Sequence, residues 1–437
     1  MIDIRLIRES PDIVRKAARD KGMHVDVDQL LAVDRRRREL ETEFNELRHQ
    51  QKLAGEKMAK ASPQERSALG AQLGEVKARA RQLEEERTKA DEELRQLMLL
   101  VPQIPDPESP VGPDPSHNVE VRRVGQPRFK ADFHAFKDHV ELSSTLGLVD
   151  LERGVKLAGS RNYVLTGAGA MLHEAVLRLA WDLLLSESWE PPGRPGTPLR
   201  FTPLTVPVLV LEKLMEGTGF FPLHRDEVYL CERDQQCLVG TSEVPVTGLH
   251  MDEILDADAL PKLYAARSTC FRRESGAAGK DTRGLYRIHF FDKLEQVVIC
   301  RPDREESRFW HRVILENAER LLQALELPYR VIEVCTGDMG QAKVRQFDVE
   351  TWMPGRDAYG ETHSASAYHD FQARRLGIRT RDEAGKPQVC FTLNSTLVAS
   401  PRILIPLLEN YQNPDGSVTV PARLRPYMNG MERIEKR

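Results

Sequence analysis

No apolar run in this sequence approaches the ~18 residues that a membrane-spanning helix needs, so no transmembrane segment is expected. The opening stretch, MIDIRLIRESPDIVRKAARDKG, carries acids and has no long apolar core, so no secretory signal is expected either. Cysteine is scarce and scattered: six residues, at 231, 237, 270, 300, 335 and 390, form no CxxC pair. No zinc site is therefore expected, and reduced thiols fit a cytoplasmic protein. Charge of one sign is not in excess. The 63 Lys and Arg against 67 Asp and Glu give −4, which excludes a uniformly basic nucleic-acid binder but not a local basic surface. Two phosphate-binding fingerprints are also missing. GAAGKDT, 276–282, fails as a P-loop, because Glu274 stands where the first glycine belongs and Asp281 follows Lys280. GAGAML, 167–172, has Leu172 where a dinucleotide fingerprint needs a small residue.

What is present is enough for a sizeable core. The 437 residues suggest two or three domains, and the 40% apolar content excludes wholesale disorder. Val33, Leu40, Phe44, Leu47, Ala54 and Met58 recur at a 3-4 spacing. After Ser62-Pro63 the pattern resumes as Leu69, Leu73, Val76, Ala80, Leu83, Ala90, Leu94 and Leu97. This predicts an antiparallel coiled-coil hairpin over about 28–100. Its charges balance at 15 against 15, so charge alone does not separate a dimerising coiled coil from an arm that grips RNA. Six prolines in PQIPDPESPVGPDPS mark 102–116 as a linker between an N-terminal domain, 1–101, and a larger domain, 117–437. Beyond it, helices are expected near 172–187, 303–325 and 402–411. Strands are expected over 201–210, 226–231, 285–299, 329–335 and 390–399. The mixture lacks βαβ alternation, so the expected class is α+β with a largely antiparallel sheet.

Four clusters carry chemistry. In FRRESGAAGKDTRGLYRIHFFDKLEQVVI, 271–299, strand, Gly-rich loop and strand are expected. Alternation sets Ile288, Phe290 and Leu294 on one face, and Arg287, His289, Phe291, Lys293 and Glu295 on the other. Arg272 and Glu274 share a face of the preceding strand. Guanidinium groups, a carboxylate and a ring on one hairpin suit a nucleotide, although a solvated sheet face can be equally polar. In GTSEVP, 240–245, Thr241 and Glu243 are expected on one strand face. In YGETHSASAYHDFQARR, 359–375, Glu361 and Ser364 offer hard oxygens to a divalent cation, a pattern that a plain polar turn would also give. In FTLNSTLVASPRILIPLLENYQ, 391–412, Asn394 and Thr396 share a strand face. Ser400 is placed to cap a helix with Pro401 as its first residue, which sets Arg402 in the first turn.

These clusters, in this order, resemble the class II aminoacyl-tRNA synthetases, and specifically the seryl-tRNA synthetase family, over essentially the whole chain. The hairpin is similar to that family's tRNA-binding arm, 271–295 to its motif 2, and 396–412 to its motif 3. Pro207 sits where the motif 1 proline of the dimer interface is expected. The resemblance implies a homodimer that activates L-serine with ATP and loads it onto serine tRNA through the tRNA's terminal ribose, with selenocysteine tRNA left open. It implies Arg272, Arg402 and Glu361 as catalytic. It implies Arg272, Arg273, Glu274, Arg287, Ile288, Phe291, Glu361, Thr362, His363, Ser364 and Arg402 around ATP, with Phe291 and Arg402 sandwiching the adenine. Glu361 and Ser364 are implied as the Mg²⁺ ligands. Thr241, Ser242, Glu243, Arg272, Glu295, Asn394 and Thr396 are implied around serine. Two positions depart from the family pattern: Gly360 stands where an arginine is common, and Ala365 where a cysteine is. Loading another acceptor, such as a carrier protein, and a non-enzymatic RNA-binding scaffold are the rival readings. The retained hairpin argues against the first, and intact Arg272, Glu295, Glu361 and Arg402 argue against the second.

Overall fold

The heptad pattern becomes two long helices. In the computed structural model, which describes residues 1–60, 62–275 and 283–436, the chain divides into two compact units, Met1–Pro102 and Gln103–Arg437. Short helices α1 (Ile4–Glu9) and α2 (Pro11–Asp20) precede the arms α3 (Val27–Lys60) and α4 (Pro63–Leu100). The second arm starts at Ser62, whose backbone N–H donates to Glu65 at 2.9 Å, with Pro63 as the first helical residue. Leu40 and Phe44 from one arm pack with Ala80, Leu83 and Ala90 from the other. Arg79 to Glu43 at 2.8 Å and Arg87 to Glu41 at 3.2 Å flank that seam. A separate cluster of Ile2, Ile7, Val14, Leu30, Met98 and Val101 anchors α1 and α2 to the base of the hairpin.

Asp34 holds that base by charge. It is fully buried and takes both arms of the Arg8 guanidinium, at 2.6 and 2.8 Å, plus Arg38 at 3.2 Å. Burial pushes its carboxyl up, but the hydrogen bonds and charge of Arg8 outweigh that and leave it below the usual 3.8. A folded-state value below the unfolded one stabilises above the ordinary range and is lost as pH falls through it. Asp34→Ala strands the Arg8 charge, which is partly open to water, and should cost about 1–3 kcal/mol. Thermal unfolding at pH 7 should show the loss, and the gap to the parent protein should narrow below about pH 4. An unchanged midpoint would make the pair a bystander.

The second unit is built on an eight-stranded sheet. In chain order its strands are β1 (Val119–Val124), β2 (Thr202–Leu204), β3 (Lys262–Phe271), β4 (Phe290–Cys300), β5 (Tyr329–Glu333), β6 (Arg345–Met353), β7 (Ala358–His369) and β8 (Phe391–Ser400). They lie in the order β1-β5-β6-β7-β8-β4-β3-β2, antiparallel throughout except for β2 beside β3. Helices α5 (Ala168–Ser186) and α6 (Arg304–Ala324) cover one face, where Leu294, Val298, Ala365, Leu393 and Leu397 join their apolar sides in the main core. Among the described residues no helix is long and apolar enough to cross a membrane.

Several expectations need correction. Residues 103–116, expected as part of a linker, fall within the second unit. Gln103 donates its backbone N–H to Gln341 and Asp106 to Val344, while the Pro110 carbonyl accepts from Thr336, all at 2.8–2.9 Å, so the segment is fastened along the second unit. The expected strand 201–210 breaks into Thr202–Leu204 and Leu209–Leu211; Pro207, in the gap between them, cannot donate to a ladder. Only Leu230–Cys231 of 226–231 is strand, and β4 starts at Phe290, five residues later than expected. The GAAGKDT segment lies outside the described residues.

Candidate active site

The face of the sheet opposite the helices lines a cavity of about 680 Å³, with a smaller one of about 80 Å³ beside it. Alternation along β4 turns Phe291, Lys293 and Glu295 toward these cavities and Leu294 into the core. Arg272 lies just past β3. Its guanidinium donates twice to the Gly240 carbonyl at 3.3 Å and sits 5.1 Å from the centre of the Phe291 ring. Glu274 has a φ of +54°, the left-handed region that a non-glycine residue rarely adopts. Its carboxylate pairs with Arg287 at 2.9 Å. Ile288 is buried against the smaller cavity. Arg273 is exposed and lines neither cavity, so the structure does not bring it to the others.

The TSE segment is not a strand. Ser242 caps a short helix, α-turned from Glu243 to Gly248, and its hydroxyl donates to the Ala266 carbonyl at 2.9 Å, away from the cavity. Thr241 and Glu243 do reach the cavity. Glu243 accepts from Gln372 at 2.6 Å, and Gln372 in turn accepts from Thr392 at 2.7 Å. Glu295 pairs with Lys293 at 2.6 Å and hydrogen-bonds Thr396, its register partner on β8. Burial pushes both the Glu243 and Glu295 carboxyls up, and Lys293 opposes the shift in each. Asn394 lines the same cavity and donates to the Tyr368 hydroxyl at 3.1 Å.

Glu361 and Ser364 lie on strand β7, not on a turn. A spacing of three would send them to opposite faces of a regular strand. A bulge between the β6 and β7 registers, where Val349 opposes His363 and Glu350 opposes Glu361, makes Thr362 the extra residue. Glu361 and Ser364 therefore both line the two cavities. Thr362 only edges the smaller one, its hydroxyl shared with Thr351 at 2.6 Å. His363 is turned inward, 2.8 Å from the Thr362 hydroxyl, and burial holds its imidazole neutral, down to about 3. Asp348 faces Ser364 across the β6–β7 pair, and burial with the Glu361 carboxylate pushes it up to about 8. Crowded carboxylates beside a hydroxyl are a hard-oxygen donor set, which fits Mg²⁺.

Arg402 is not in a first helical turn. Ser400 is the last residue of β8, and the helix runs Leu404–Asn410 with Ile403 as its cap. Arg402 is held instead by Tyr286, donating to its carbonyl at 3.1 Å and lying 4.7 Å from its ring, and by the Glu361 carbonyl at 3.2 Å. Phe291 and Arg402 line one small cavity together. Sequence reasoning gave no role to three participants. Lys293 had a signal, since it shares a strand face with Glu295. Asp348 and Tyr286 had none, because strand register and a carbonyl contact bring them in. Elsewhere His173, Glu174 and Asp292 converge closely enough for a metal, but the Arg267 guanidinium already bridges Glu174 and Asp292 at 2.7 and 2.6 Å.

Comparison with known proteins points to one family. Residues 1–105 match the seryl-tRNA synthetase N-terminal domain, and 229–411 match the tRNA synthetase class II core domain (G, H, P, S and T). The chain is 46% identical over 433 residues to a serine–tRNA ligase of Deinococcus radiodurans, covering 99% of this chain and 98% of that one. It is 45% identical over 436 residues to serine–tRNA ligase 1 of Streptomyces avermitilis, covering 100% and 99%. Among solved structures, seryl-tRNA synthetase from Pyrococcus horikoshii complexed with ATP superimposes with a TM-score of 0.88 at 37% identity over all of both chains. With both of its units matched and its length covered end to end, the chain belongs to the seryl-tRNA synthetase family.

Proposed function

We propose that this chain is a serine–tRNA ligase that condenses L-serine with ATP to seryl-adenylate and pyrophosphate, then passes serine to the terminal ribose of serine tRNA. The observation that carries this reading is the convergence, around joined cavities, of Arg272, Phe291 and Arg402 with Glu295, Thr396 and Thr241. The first three suit a nucleotide: rings and guanidinium planes stack on a base, and Arg272 meets phosphate charge. The last three suit serine, since an ammonium calls for a carboxylate and a hydroxyl for hydroxyl and carboxylate partners. A site built to bond that hydroxyl rejects alanine by leaving its own buried groups unpaired.

The serine carboxylate attacks the α-phosphorus in line, and pyrophosphate leaves. Arg272 balances the charge that builds on the α-phosphoryl oxygens, so positioning and electrostatics carry the rate and no protein nucleophile is needed. In this reading Arg287, which pairs with Glu274, serves the outer phosphates, and Arg402, which donates to the Tyr286 carbonyl, serves the adenine. Glu361 and Ser364 would hold Mg²⁺. When bound, the ion offsets phosphate charge. Homodimerisation is part of the proposal, supported by exposed Pro207 next to the exposed Leu209 and Leu211. So is tRNA reading by the hairpin, supported by the length of its two arms and the seam they close on each other. ATP–pyrophosphate exchange across the amino acids should respond to serine alone, with threonine and alanine weaker by roughly a hundredfold or more. Exchange driven equally by another amino acid would overturn the assignment.

A further inference from the structure

Lys293 lies where the two cavities meet and lines both of them. Its ammonium is 2.6 Å from the Glu295 carboxylate, with side chains only 7% and 2% exposed. The pair sits at the position proposed for serine, so the substrate ammonium and Lys293 compete for one carboxylate. Glu243 also lines the cavity and accepts from Gln372 through Oε1, but Glu295 is the carboxylate that Lys293 and Thr396 both address. Serine, however, also brings an anion. Before binding there is one buried pair, lysine with glutamate. After an exchange there are two, substrate ammonium with Glu295 and Lys293 with substrate carboxylate. No proton has to move, and no buried charge is left alone. A four-carbon stem lets the lysine ammonium swing between the two positions. Arg272, oriented by the Gly240 carbonyl and the Phe291 ring, is assigned above to the α-phosphoryl charge.

We infer that Lys293 is a substrate-binding residue: it serves as the resident counter-ion of Glu295, is displaced by the serine ammonium and re-pairs with the serine carboxylate. This rests on the serine pocket proposed above. It makes the pocket selective for a free amino acid over an amine of the same shape. Serinol, which keeps the ammonium and hydroxyl but carries no carboxylate, would evict Lys293 without offering it a new partner.

Calorimetric binding of serine and serinol to the full chain at pH 7 tests it. The parent protein should prefer serine by roughly tenfold or more, the scale of a buried charge pair. Lys293→Met should reduce that preference to within about threefold, by weakening serine more than serinol. Lys293→Gln, whose amide can still donate to Glu295 and so supports folding, should do the same. Equal weakening of both ligands in both variants would overturn the inference and leave Lys293 as a structural partner of Glu295. Glu295→Gln separates the two readings: if it weakens neither ligand, the pocket assignment itself fails and the lysine exchange fails with it.

Discussion

Glu295→Ala should all but abolish serine-dependent pyrophosphate exchange. The carboxylate is nearly inaccessible, and it is the acidic group that Lys293 and Thr396 both address. Truncating one member of a buried charged pair costs about 2–5 kcal/mol, or roughly 30-fold to several thousand-fold in kcat/KM for serine. The substrate hydroxyl loses a partner in the same change, so discrimination against alanine should fall as well. ATP binding should be nearly untouched, because Phe291, Arg402 and the Arg287–Glu274 pair do not depend on Glu295. The measurement is initial-rate exchange against serine and alanine, with nucleotide affinity followed separately and thermal unfolding as the control for folding. Unchanged serine kinetics in a folded variant would remove Glu295 from the pocket.

Much of this site was legible, and its gaps have definite physical causes. Alternation along β4 and β8 placed Glu295, Phe291, Asn394 and Thr396 correctly, because period-two patterning survives wherever one face of a strand packs on helices. It failed where the strand is irregular. The bulge at Thr362 brings Glu361 and Ser364 together, and their odd spacing was the only trace of it in the sequence. The TSE segment turns into a helix that starts at Glu243, where Ser242 bonds the Ala266 carbonyl, a tertiary contact that no local propensity encodes. Ser400-Pro401 carried good capping chemistry, yet Ser400 stays in β8 and the helix starts later. Strand pairing with Asp292 overrides the local preference there. Asp348 was invisible for a different reason. Its role is defined by Ser364 opposite and Glu361 nearby, sixteen and thirteen positions away in the chain.

Shortening the hairpin should uncouple the two half-reactions. The two arms were the most legible elements, since a heptad seam is sustained over many turns. At 34 residues, α3 extends about 51 Å, enough to follow a large RNA. Removing all of 28–100 would be a poor test, because Leu30 and Met98 belong to the cluster that α1 and α2 need. Removing 48–77 and closing the gap with a short turn spares that base and most of the seam from Leu40 to Ala90. Charge narrows the choice of RNA contacts. Arg36, Arg38, Arg79 and Arg81 are paired with Glu86, Asp34, Glu43 and Glu85, and Arg48 lies over the Phe44 ring. Arg35, Lys52 and Lys77, like Lys57, Lys60 and Lys89, are exposed and carry no ion pair among the described residues, so these cations can meet phosphates. The shortened protein should remain a dimer by light scattering and keep serine-dependent exchange within about twofold, because neither property is assigned to the arm. Its tRNA charging should fall roughly a hundredfold or more, the scale of losing several phosphate contacts together. Binding of the full chain to serine tRNA should also weaken steeply with salt, and the shortened protein should lose that salt dependence. Normal charging by the shortened protein would make the arm a scaffold, and a monomer would move the dimer contact onto the coiled coil.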